Sequence, residues 1–469
     1  MHLVKSTTGQ ICRSIVLLSC ALAMAANLMA QENAPYSRYG LGDVVPGQHI
    51  VNRGMGGISA AYSDYGIIGA PFNINMINPA SLGNLTNTKN FSNTIFDIGA
   101  EVDVRTLKST SSPEKYKATN TVISYLQIAF PVSSQKMEKK GTSWGLSFGL
   151  RPLTRINYKI EQNNRISSID STNTLYEGTG GLNQFNISTG IRKVGKGSHK
   201  NEFSIGFSTG YTFGNKNYST RLSFVNDSVY YYKSNFDVTT RMNGLFLNTG
   251  IQYVMHLTNA GTLRLGAYAN LQQRLTAYKS TLYETYANDG NGGYNSIDSI
   301  YKINDQKGKV IVPSTIGGGF TYQSNNKQWL VGADYEMTQW SDYRFYNQTD
   351  QVHNNWTIRA GAEYYPIRST SSSNVYWNYV KYRAGMYYGP DYIRINGMVR
   401  NNYAATLGAS FPLTTPRSIQ SRGEYVTLNT SCEIGTRGSN QSLGLKENFV
   451  RLNIGISMNA RWFQKRSYD

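Results

Sequence analysis

Asp97, Glu101, Asp103 and Arg105 are separated by even numbers of positions. In an extended chain that spacing sets all four on one face, where three carboxylates and one guanidinium converge. Such a group suits either an oxygen-ligand cation site or an ion-pair network inside a membrane protein. The arginine among the acids favours the network, and neither a metal nor a cofactor is expected. Other chemistry is sparsely supplied. The histidines are His2, His49, His199, His256 and His353, and none has the spacing to a second His or Cys that a metal site needs. There is no Gly-x-Ser-x-Gly elbow and no phosphate-binding loop. No catalytic residues are assigned, and the protein is not expected to be an enzyme.

The elements that carry these residues are legible at the other end of the chain. Val450, Leu452, Ile454, Ile456, Met458, Ala460 and Trp462 alternate with Arg451, Asn453, Gly455, Ser457, Asn459 and Arg461. A period of two with one apolar side marks a strand that is wet on one face and greasy on the other. The pattern recurs about fourteen times in runs of about 10 to 14 residues, the signature of a transmembrane β-barrel. The runs are 91–105, 119–132, 141–153, 181–194, 201–213, 241–256, 262–283, 311–323, 328–341, 353–366, 376–389, 403–413, 424–437 and 448–463. An even count returns both ends of the barrel to the periplasmic side. Long gaps at 154–180, 214–240 and 284–310 alternate with short ones, as extracellular loops alternate with periplasmic turns.

Residues 1–30 read as a signal peptide, with Lys5 and Arg13 before an apolar stretch and Leu28-Met29-Ala30 at the cleavage site. Cleavage there removes Cys12 and Cys20 and leaves Cys432 alone, so no internal disulfide is expected. The remaining chain has no apolar window of about 18 residues for a spanning helix. Tyrosine supplies 35 residues, which suits aromatic girdles at the two membrane interfaces. The net charge of +18 falls to +16 without Lys5 and Arg13, and it is scattered rather than gathered in a groove. Basic rims facing outer-membrane lipid and the phosphates of glycolipid account for it, and no nucleic-acid partner is expected.

The inward face of the strands is rich in glycine, including Gly145, Gly206, Gly250, Gly266, Gly385, Gly408 and Gly455. Glycine inside a strand often marks close approach of another segment. A barrel of fourteen strands is also too wide for its own side chains to fill. Residues 31–90 are the obvious guest, with Gly- and Asn-rich turns among Ile, Met, Tyr and Phe. The expected architecture is all-β: an antiparallel transmembrane barrel over 91–463, a lumenal plug (hatch) over 31–90, and a polar periplasmic tail over 464–469. The barrel is expected to be integral to the outer membrane.

Within the plug, Arg53-Gly54-Met55-Gly56-Gly57-Ile58-Ser59-Ala60-Ala61-Tyr62-Ser63-Asp64 resembles the small-residue stretch of the FadL/OMPP1/TodX family. Asn78-Pro79-Ala80-Ser81 resembles that family's Asn-Pro-Ala-(Gly/Ser) signature. The resemblance implies a plugged barrel that takes up hydrophobic or amphipathic small molecules and releases them sideways into the bilayer. It nominates Arg53, Gly54, Gly56, Gly57, Asp64, Asn78, Pro79, Ala80 and Ser81 as plug or ligand residues. The alternative is a non-transporting subunit or scaffold of a larger outer-membrane secretion or assembly complex, with other outer-membrane proteins as partners.

Overall fold

The computed structural model describes residues 33–64, 73–86, 94–109, 115–167, 170–197, 200–226, 229, 231–257, 260–288, 294–367, 373–395, 397–414, 425–438 and 445–460. The expected signal peptide and polar tail lie outside the described residues, as do the outermost positions of the expected first and last strands. The chain is a closed antiparallel barrel of 14 strands. In chain order they are β1 Thr94–Ser109, β2 Lys115–Pro131, β3 Thr142–Arg165, β4 Ser171–Val194, β5 Glu202–Val225 and β6 Lys233–Leu257. Strands β7 (Gly261–Asn270 and Gln273–Asn288) and β8 (Tyr294–Val312 and Thr315–Gln323) each come in two pieces. Then follow β9 Trp329–Thr338, β10 Asn355–Tyr364, β11 Lys381–Ile395, β12 Met398–Pro412, β13 Tyr425–Gly438 and β14 Leu445–Ala460. The barrel closes where β14 pairs with β1, from Leu445↔Ser109 to Ala460↔Thr94.

Alternation decides which way each side chain points. On β5, Phe203, Ile205 and Phe207 are exposed to the lipid side, while Ser204 and Ser208, which alternate with them, are buried in the lumen. Closure leaves the sheet without a first or last strand standing alone in the hydrocarbon, which is why only a closed sheet suits this environment. None of the described helices is long and apolar enough to cross a membrane.

Strand bounds depart from expectation at one end of the barrel. The stretches 154–180, 214–240 and 284–310 are largely strand rather than loop: β3 and β4 stay paired from Arg155↔Gly181 out to Arg165↔Ser171. Strands β3 to β6 run 24 or 25 residues against 10 for β9 and β10, so one rim stands tall over β3–β8. The extensions were hidden because sequences such as Glu161-Gln162-Asn163-Asn164 offer no apolar face. Above the lipid a sheet is held by its hydrogen-bond ladder, so the signal used to find strands is absent there.

Two interruptions shape the wall. The breaks in β7 and β8 lie side by side, since Asn270 pairs with Thr315 below them and Gln273 with Val312 above. Strands β2 and β3 pair only from Leu126↔Leu150 to Pro131↔Gly145, just short of a register shift between Pro152 and Thr154. Leu407 on β12 is 64% exposed on the lipid face. Leu407→Arg should lower barrel stability by about 2–4 kcal/mol if that position lies at mid-bilayer, measured by urea unfolding in lipid vesicles.

Candidate functional site

The described part of the N-terminal segment runs inside the barrel. Its regular elements are a short helix, Ile50–Arg53, a 3₁₀ helix, Pro79–Asn84, and, ahead of both, a 3₁₀ turn, Pro35–Arg38, and a two-residue strand, Asp43–Val44. His49 caps the Ile50–Arg53 helix by accepting from the Val51 amide at 3.1 Å, and Asn78 caps the Pro79–Asn84 helix by accepting from the Ala80 amide at 3.1 Å. Neither helix is long enough to be stable alone. Their position comes from the wall.

The inward glycines show how closely the two surfaces meet. A Cβ on Gly206 would overlap the Pro79–Ala80 backbone, one on Gly266 the Ala60 carbonyl, and one on Gly385 the Met55–Gly56 backbone. Gly408 lies against Gly54, and Gly455 against Ile50. Gly56 and Gly57 have φ of 68° and 88°, a left-handed turn that side chains resist. This turn presents the Gly56 amide to Thr406 Oγ1 at 2.8 Å.

Charge fastens what shape admits. Arg53 reaches Glu101 on β1 and Glu433 on β13, both at 2.5 Å. His49 Nε2 lies 2.6 Å from Asp97, whose other oxygen accepts from the Ser457 hydroxyl at 2.9 Å. With Nδ1 already accepting from Val51, His49 is set to donate through Nε2. Asp64 pairs with Lys381 on β11 at 2.5 Å, and Asp334 on β9 accepts from the amides of Ser59 at 2.5 Å and Ala60 at 2.8 Å. Nearer the tall rim, Asp43 is held by Arg105 at 2.5 Å and by Arg437, while Asp103 binds Arg105 at 2.7 Å and Arg451 at 3.2 Å.

Burial works against the Asp43 carboxylate, but Arg105 and Arg437 outweigh it and hold its pKa well below the ordinary carboxylate value. Burial likewise opposes the Arg53 cation, and Glu433 and Glu101 outweigh that and raise its pKa. Asp43 and Arg53 are therefore both charged at neutral pH.

The nominated residues sort by what they touch. Glu101, Asp97 and Arg105 each hold a side chain of the inner segment, and Asp103 braces Arg105. Asn78 is wholly buried and joins three elements: its amide donates to Ala60 O at 2.6 Å, to Ile251 O on β6 at 3.1 Å and to Ala267 O on β7 at 3.3 Å. Pro79 starts the 3₁₀ helix, Ala80 supplies the capped amide, and Ser81 donates to Asn75 O at 3.4 Å. Sequence reasoning missed His49, Asp43, Glu433, Asp334, Lys381 and Arg437. The four wall residues among them were open to discovery, because each sits at an inward position of an alternating strand. His49 and Asp43 lie in irregular backbone with no such period.

Between the segment and the wall is a cavity of about 320 Å³. Apolar groups such as Val44, Leu153 and Phe246 share its lining with Arg53, Arg151, Arg359, Glu336 and Glu433. Among the described residues, no cluster of His, Cys, Asp or Glu has the geometry to hold a metal ion.

The model of the BamG family matches residues 11–469. The chain belongs to the BamG family. No curated protein matches it. Among solved structures, this BamG-family chain is similar to a Pseudomonas aeruginosa FadL homologue, with 12% identity, 90% of this chain and 99% of that one covered, and a TM-score of 0.52. It is also similar to the P. putida toluene transporter TodX, with 14% identity, 90% and 100% covered, and a TM-score of 0.51. At such identity these likenesses establish the FadL-type fold, in agreement with the motif resemblance.

Removing one partner from a buried ion pair typically costs about 3–5 kcal/mol. Arg53→Met should therefore loosen the BamG-family segment by that order, read as new protease cleavage within 33–86 of the folded barrel. Gly206→Ala should do the same, whereas Gly318→Ala, whose Cβ meets nothing closer than 3.6 Å, should leave protection unchanged. Because the folded pKa of Asp43 lies below its unfolded value of about 3.9, its contribution is complete above about pH 4 and fades only in stronger acid. Protease protection of residues 33–45 should be equal at pH 7 and pH 5.

Proposed function

We propose that this chain is a shut outer-membrane barrel that serves as a docking subunit of a larger outer-membrane assembly, with residues 31–90 as a fixed plug. The observation that carries this reading is the set of buried charge clamps, which tie the inner segment to β1, β9, β11 and β13. Sliding the segment would strand several charges at once, each at a cost of several kcal/mol. The cavity that remains sets arginine and glutamate among its apolar groups, so an apolar molecule entering it would also desolvate charge. A barrel closed in this way offers its outer surfaces. With the barrel ends toward the periplasm, the tall rim projects outside the cell and the basic rims meet glycolipid phosphate.

The purified chain in planar bilayers should show no steady ion conductance, and from its own membrane in mild detergent it should come out with a stoichiometric protein partner. Recovery of the chain alone with lipid or detergent in its lumen counts against docking.

A second reading, uptake of hydrophobic or amphipathic small molecules with sideways release, is favoured by the unpaired stretch between β2 and β3. There Asp43–Val44 adds to β3 opposite Thr154–Arg155, and Val44, 44% exposed, lines the cavity beside Leu153. TodX, with the same fold, is a toluene transporter. This route predicts slower toluene entry in a deletion strain and in one carrying Val44→Trp. Parental uptake rates in both strains would sink it.

A further inference from the structure

The tall rim carries a row across six strands that is apolar or aromatic on five of them. Ile160, Tyr176, Thr220, Phe236, Tyr283 and Tyr301 are direct cross-strand partners from β3 to β8, so their side chains share one face. Tyr218, two residues from Thr220 and on the same face, donates to the Arg38 carbonyl, which identifies this as the face over the barrel axis. The rings of Phe236 and Tyr283 are 4.3 Å apart and those of Tyr283 and Tyr301 5.5 Å, yet Tyr283 and Tyr301 remain 41% and 46% exposed. The opposite face at the same height is charged, with Lys159, Glu177, Asp237 and Lys302 on four of the strands.

This row ends at an open edge. One side of the upper piece of β8 pairs with β7 along its length, interrupted by three register shifts. On the other side, Val310 and Ile311 pair with Phe345 and Arg344, and Tyr346 bonds the carbonyls of Lys309 and Gln306. From Tyr294 to Asp305 no strand pairs with that side among the described residues. Ile297 and Ile300 sit at register shifts, outside the ladder with β7, and Ile300 is 69% exposed.

We infer that the Tyr294–Asp305 edge docks an extended segment of a second outer-membrane protein, which adds to the tall rim as a further strand. This rests on the docking reading and gives its partner a chemistry. From Tyr294 to Ile303 the edge spans eight ladder positions, about 27 Å, and its main-chain donors and acceptors, solvated in the isolated chain, match those of another polypeptide in extended form. Beside Tyr301 the added strand would continue the apolar row over the barrel axis. Beside Lys302 it would carry an acidic residue on the outer face, while Asp305 is already matched by Arg241 at 2.6 Å.

The test compares hydrogen exchange of Tyr294–Asp305 in the assembly, purified in mild detergent from the native membrane, with exchange in the full chain purified alone. Exchange at these amides should slow at least tenfold in the assembly. Ile300→Lys/Lys302→Glu should reduce recovery of the partner at least tenfold while the barrel keeps its heat-modifiable mobility; Ile300 stands outside the internal ladder, so the barrel itself should fold. A stoichiometric partner that leaves these amides exchanging as in the isolated chain, or that binds the double variant as well as the parent, overturns the inference and leaves the docking reading intact. Recovery of the parent chain alone overturns both.

Discussion

Fourteen strands enclose more space than inward side chains can fill, and the lipid around them forbids any unsatisfied backbone. The rest of the structure answers that constraint. The lumen must be filled with something that brings its own polar partners, because a wall of Asp, Glu, Arg and Ser facing an empty or greasy space would be costly. The N-terminal segment supplies those partners: Arg53 to two glutamates, His49 to an aspartate, backbone amides to Asp334. In return the wall gives the segment a shape it could not hold alone, since its helices span only four and six residues.

Shape and charge divide the work. Glycines on the wall let backbone meet backbone around most of the circumference, which gives fit but little directional hold. The ion pairs add direction, and they sit at different heights, from Asp43 near the tall rim to Asp64 beside Lys381. A segment held by a single pair could pivot about it. One held at several heights by partners on opposite sides of the barrel cannot turn without breaking two or more.

How much of this was legible depends on which physical signal each part leaves. Strands within the lipid were legible because burial against hydrocarbon demands alternation, as in Phe203–Phe207 of β5. Their extensions in the tall rim were not, because Gln162 or Asn163 need only pair their backbones there. The inward cluster around Asp97, Glu101, Asp103 and Arg105 stood out, since charge at evenly spaced positions of a membrane strand has few explanations. Its partners Asp43 and His49 lie in irregular backbone, where spacing carries no directional information. Glu433 and Asp334 fell between: alternation places them inward, but nothing local tells what they meet.

Arg53 binds Glu101 on the first strand and Glu433 on the penultimate one, and so straddles the β14–β1 seam where the sheet meets itself. Ile50, one turn earlier, packs against Gly99 of β1 and Gly455 of β14, the two glycines that face each other across that seam. The inner segment thus spans the joint at which the ring closes. That joint is held from within by Arg53 and Ile50 as well as by its own ladder, so parting β14 from β1 would also strip the inner segment of its partners.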